Sequence, residues 1–115
     1  MTKNTTIINN EHECLAITTE SASYKEAMNL IINLPIVKKW WSSLNRQSRI
    51  ATGGDAIDKT EFEDGNCYWS ISIYESQTAQ LHLWKIFRVN INNKKILFMN
   101  DEGDYQPYFS DQPKK

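Results

Sequence analysis

A chain of 115 residues, 40% hydrophobic and 23% charged, holds enough material for one core and not for two, so residues 1–115 are expected to form a single domain. Its formal net charge of -1 argues against the strongly basic balance of a nucleic-acid binder. No apolar run approaches the ~20 residues that cross a bilayer, so neither nucleic acid nor membrane is an expected partner.

Residues 1–13 are polar apart from Ile7 and Ile8 and lack the apolar centre of a signal peptide. They read as a loose arm on a cytoplasmic chain, or on a periplasmic one if the chain is a processed mature form. Cys14-Leu-Ala-Ile17 suits either a short strand or the start of a helix. Ser23 with Glu26 three residues on fits a capping box, and Ala27, Leu30, Ile31 and Leu34 then mark one face of a helix. Pro35 breaks or bends the chain, and a second helix can follow with Asn33 as its cap. Its apolar stripe is Ile36, Val37, Trp40, Trp41 and Leu44. Adjacent tryptophans suit a stacking platform for a sugar or base, but at this spacing they more often pack a helix onto a sheet.

Residues Arg46 to Ala51 suggest an edge strand that ends at Gly53-Gly54. Thr60-Glu-Phe-Glu63 alternates, and Asp64-Gly65-Asn66 offers a hairpin turn into the most strand-like part of the chain. There Trp69, Ile71 and Ile73 alternate with Ser70 and Ser72, the period of a half-buried strand. Further strands are expected in Leu81–Ile91 and Lys95–Met99, separated by turns at Ser76–Gln80 and Asn92-Asn93. The pattern predicts an α+β fold: one or two N-terminal helices packed on one face of an antiparallel meander sheet of four or five strands. An edge strand leaves pairing with a second copy, a homodimer, open.

Two segments concentrate negative charge. Asp55, Asp58, Glu61, Glu63 and Asp64 face one base, Lys59. After Met99, residues 100–115 read as an acidic and aromatic tail, with Asp101, Glu102, Asp104 and Asp111 interleaved with Tyr105, Tyr108 and Phe109. Such a tail either folds back over the sheet edge or forms a sticky surface, since tyrosine favours interface centres and carboxylates complement a basic partner.

Signs of catalysis are thin. His12 and His82 resemble a two-histidine site in type only, because His82 alternates with Leu81 and Leu83 as a surface strand residue does. Cys67 with His82 has no context for an activated thiol. Cys14 and Cys67 are too few and too far apart in sequence for a disulfide framework or a zinc site, and they read as small apolar fillers of a reduced interior. Neither His12-Glu-Cys14 nor Asp101-Glu-Gly-Asp104 has a metal-ligand pattern, and no glycine-rich phosphate loop occurs. No enzyme activity, metal or cofactor is expected.

Ala27-Met-Asn-Leu-Ile-Ile-Asn-Leu-Pro-Ile-Val-Lys-Lys-Trp40 ends a helix in Leu-Pro-x-Val, and Phe87-Arg-Val-Asn-Ile begins a late hairpin that closes on Asp101, with Tyr105 and Pro107 beyond. About half the chain thereby resembles small bacterial α+β proteins of the toxin-immunity and inhibitor type, with Asn92-Asn93-Lys94 in place of a Thr-Gly turn. The resemblance implies a non-enzymatic toxin-immunity or inhibitor protein, and the two acidic segments suit it to cover a basic active site on a cognate toxin, such as a nuclease's. The residues expected to hold that partner are Asp55, Asp58, Glu61, Glu63, Asp64, Asp101, Glu102, Asp104, Tyr105 and Tyr108. The alternative is a small-molecule-binding module, its apolar pocket lined by Trp69, Trp84 and Phe87 in a curved sheet.

Overall fold

The computed structural model describes residues 8–44, 49–52, 54–77 and 80–108, and of residues 49, 50, 55, 56 and 77 the backbone alone. The chain forms α1 (Glu11–Leu15), α2 (Ala22–Ile32), α3 (Pro35–Ser43), β1 (Arg49–Thr52), α4 (Gly54–Ile57), β2 (Lys59–Glu63), β3 (Asn66–Gln77), β4 (Gln80–Asn90), β5 (Ile96–Met99) and β6 (Tyr105–Pro107). The fold is α+β, and the six strands among the described residues form one antiparallel sheet, one more than the upper expectation. Strands β2 to β6 pair in sequence order, and β1 joins the far end of the β3 edge that β2 occupies.

The helix ends differ from expectation in informative ways. Asn10 caps α1, its side-chain oxygen accepting the Glu13 N–H at 2.8 Å, so Glu11–Glu13 are helical rather than part of an arm. Ile8 is also held, because both its N–H and its C=O bond the Asn92 side chain. Helix α2 is capped by Ser21, not Ser23, with the Tyr24 N–H bonded to the Ser21 hydroxyl at 3.2 Å. Ser23 instead accepts the indole N–H of Trp69 at 2.9 Å. A buried indole donor left without a partner is costly, which explains that use of the hydroxyl. Asn33 does not cap α3: its amide turns back to the Asn29 carbonyl, and Leu34 precedes Pro35, which needs no cap for a missing N–H.

The β2–β3 turn is as expected. Asp64 and Gly65 both have positive φ, 53° and 78°, between the paired residues Glu63 and Asn66, as a two-residue I′ hairpin requires. In the β4–β5 turn the left-handed residue is Lys94, at φ 66°, rather than either asparagine. Asn90 builds that turn, its side-chain oxygen accepting the N–H groups of Asn92 and Asn93. Residues 100–108 are not a tail. Asn100 accepts the N–H groups of Glu102 and Asp104, Gly103 supplies positive φ, and β6 pairs with β5 as the sheet edge.

The helices lie on one face of the sheet. Alternation places Trp69, Ile71 and Ile73 of β3 beside Phe87 and Val89 of β4, and all are buried in one cluster with Ala27, Ile31, Leu34 and Val37. A register shift at Ile73 and Tyr74 leaves Trp84 as an extra residue in β4, where its ring stacks flat on Trp40 at 4.1 Å. The stripe of α3 is therefore only partly buried: Val37 and Trp40 reach inward, while Ile36 and Trp41 are exposed. A nine-residue helix touches the sheet along one edge, and residues at the flanks of its stripe stay in water.

Cys14 and Cys67 form a disulfide, contrary to their reading as unpaired fillers. Their Cα atoms are 5.6 Å apart although 53 residues separate them in sequence. The bridge ties α1 to the start of β3, and the Thr60 hydroxyl bonds the Cys14 carbonyl at 2.8 Å to complete the junction. Closing a loop of this length restricts the unfolded chain by about 4 kcal/mol.

Candidate functional site

The sheet face away from the helices carries the chemistry. Strand registry puts Glu61 opposite Tyr68, Arg88 opposite Leu97, and Met99 opposite Tyr105, all on that outer face. Arg88 is its centre, with a side chain only 13% exposed. Its Nε donates to Glu61 Oε1 at 2.9 Å and its Nη1 to Glu63 at 2.6 Å, while Nη2 lies 2.7 Å from Glu61. The guanidinium carbon also stands over two rings, 5.1 Å from the centre of Tyr68 and 4.1 Å from that of Tyr105. Burial alone would lower the Arg88 pKa, but the bonds to Glu63 and Glu61 outweigh it and hold the group above its ordinary value. Arg88 is thus a fixed cation that orients two carboxylates and two phenol rings.

Beside it opens a cleft of about 470 Å³, lined by Glu63, Asp64, Tyr68, Arg88, Leu97, Gly103, Asp104 and Tyr105. One wall is the β2–β3 turn and the other the β5–β6 turn, so the two acidic segments meet across it. Glu63 remains 57% exposed despite its ion pair, and Asp64 and Asp104 are exposed. The cleft can therefore receive a cation from outside, with tyrosine rings to cover its apolar stem.

Of the residues expected to hold a partner, Glu61, Glu63, Asp64, Asp104 and Tyr105 are gathered around Arg88. Asp101 and Glu102 are exposed in the β5–β6 turn without lining the cleft. Tyr108 is elsewhere: its ring meets Phe98 edge-on at 6.3 Å, on the helix side of the sheet. The side chain of Asp55, together with Phe109 and Asp111, lies outside the described residues.

Asp58 is not a surface charge. It is 4% exposed, and its carboxylate accepts the Tyr24 hydroxyl at 2.7 Å and the Ser72 N–H at 3.1 Å. Burial raises its pKa, and the bonds from Tyr24, Ser72 and Gly54 offset only part of that. Asp58 joins α2 to the middle of β3 instead of facing a partner. A tryptophan-lined pocket is also displaced by the structure: Trp69 and Phe87 are fully buried core, and Trp84 lies against Trp40. The disulfide consumes the Cys67 thiol, so a Cys67–His82 dyad is lost with it.

Arg88 is the residue that the sequence reading passed over. The signal available was the pairing of Glu61 and Glu63 at strand period with one arginine on the same face two strands away. Among the described residues no group of three or more His, Cys, Asp or Glu is placed to hold a metal. No helix there is long and apolar enough to cross a membrane. Comparison with protein families, curated proteins and solved structures finds no match.

Proposed function

We propose that the chain is a non-enzymatic inhibitor of the bacterial immunity type, which neutralises a basic protein toxin by covering its active site with the face around Arg88. The observation that carries this reading is the meeting of Glu63 and Asp64 with Asp104 and Tyr105 in one cleft, although about forty residues separate the two segments. Carboxylates of this kind steer a basic partner, and a ring held by an arginine fixed between two carboxylates gives it a preorganised contact. The disulfide supports work in an oxidising compartment such as the periplasm, because bridges of this kind persist there.

The test is co-purification of the tagged protein with the product of the neighbouring reading frame, alongside an Asp64→Asn/Asp104→Asn variant. The proposal expects a basic protein to be captured by the wild type and lost from the variant at moderate salt. Equal capture by both would place the interface elsewhere.

A further inference from the structure

A second groove differs from the acidic cleft in sign. It has a volume of about 490 Å³ and lies between the α2–α3 corner and the β5–β6 ribbon. Its lining is mostly apolar, from Leu34, Ile96, Pro107 and Tyr108, with Lys94 and Lys95 as its ionic residues. Among the described residues no carboxylate lines it, and only Leu97 is shared with the cleft around Arg88. A volume of this size is ordinary for a small-molecule site.

Lys94 is the unusual residue. At φ 66° it occupies a conformation that lysine adopts at a cost and that glycine or asparagine takes readily. The turn itself would be better served by either, and asparagines stand immediately before it at 92 and 93. What lysine supplies there is its ammonium. That group donates to the Ile91 carbonyl and lies 3.4 Å from Glu26, which fixes it beside the groove instead of leaving it to swing in solvent. Lys95 is exposed and has no ion pair among the described residues. The Tyr108 ring is held by its edge-on contact with Phe98 and by the bond from its N–H to the Ile96 carbonyl at 2.8 Å.

The geometry points to a binding site for a small amphipathic carboxylate, its anionic group between Lys94 and Lys95 and its hydrocarbon over Leu34, Ile96, Pro107 and Tyr108. Two ammonium groups beside an otherwise apolar groove favour a negative head on an apolar body; a neutral or cationic ligand of the same shape would leave the Lys95 charge unanswered. Glu26 competes for the Lys94 ammonium and tempers the affinity. The site does not depend on the inhibitor reading, since it uses none of the acidic residues assigned to the partner.

The experiment is a titration of the isotope-labelled protein with sodium octanoate, followed by amide NMR, with octan-1-ol as the neutral control. Octanoate is expected to saturate one site, with shifts centred on Lys94–Leu97 and Tyr108, and octanol to bind more weakly. Lys94→Gly/Lys95→Gln is expected to weaken octanoate binding by about tenfold or more and leave octanol unchanged. This variant keeps the fold, because glycine suits the backbone at 94 better than lysine does. Glu26→Gln is expected to tighten octanoate binding by about threefold as the ammonium is released. The proposal is overturned if octanoate does not saturate, if the shifts centre elsewhere, or if the double variant binds it as the wild type does.

Discussion

The guanidinium of Arg88 lies 4.1 Å from the centre of the Tyr105 ring, joining the edge strand β6 to β4, two strands inward. The same group pairs with both Glu61 and Glu63. Arg88→Met keeps much of the apolar stem but leaves both carboxylates without their cation. Because Glu63 is well exposed, its share is screened, and the expected loss is about 1–2 kcal/mol in urea unfolding. Arg88→Lys should recover less than half of that, since an ammonium cannot lie flat on a ring while bonding two carboxylates.

The Cys14–Cys67 bridge closes a loop between residues 53 apart in sequence and is fully buried. Reduction under mild denaturant is expected to cost about 4 kcal/mol, seen as a lower unfolding midpoint in dithiothreitol. The Cys14→Ala/Cys67→Ala variant should show that lower midpoint with or without reductant. A wild-type midpoint that ignores reductant during unfolding would contradict the bridge.

Asp58 makes a pH-dependent contribution of definite sign. Its folded pKa is raised above the ordinary 3.8, so the folded state holds the proton more tightly than the unfolded state. The stability linked to this group is therefore fully present below 3.8 and is lost as pH rises through the folded value. Asp58→Asn cannot ionise, so its stability relative to wild type should improve as pH rises from 3.8 through the folded value. Urea midpoints of the two proteins across that range give the comparison, and a constant difference would deny the burial effect.

How far these features were legible in the sequence depended on whether the physics was local. The β3 alternation from Trp69 to Ile73 and the Asp64-Gly65 turn are local rules, and the structure has both. The α2 cap failed because Ser23 serves Trp69, 46 residues away, a demand that no local window contains. The disulfide was hidden for the same reason: two cysteines 53 residues apart carry no spacing that pairs them. Asp58 and Glu61 look alike as acids in one segment, yet strand pairing buries one beneath Tyr24 and gives the other to Arg88. Tyr105 and Tyr108 look like a pair and are separated by the edge strand that contains the first of them.

That separation offers the most direct measurement. With the captured partner immobilised, dissociation rates would be recorded for wild type, Tyr105→Ala and Tyr108→Ala, each first shown to be folded. If the face around Arg88 holds the partner, Tyr105→Ala should dissociate about thirtyfold faster, a loss of about 2 kcal/mol, while Tyr108→Ala stays near wild type. A large effect from Tyr108→Ala with none from Tyr105→Ala would contradict the acidic cleft as the binding site.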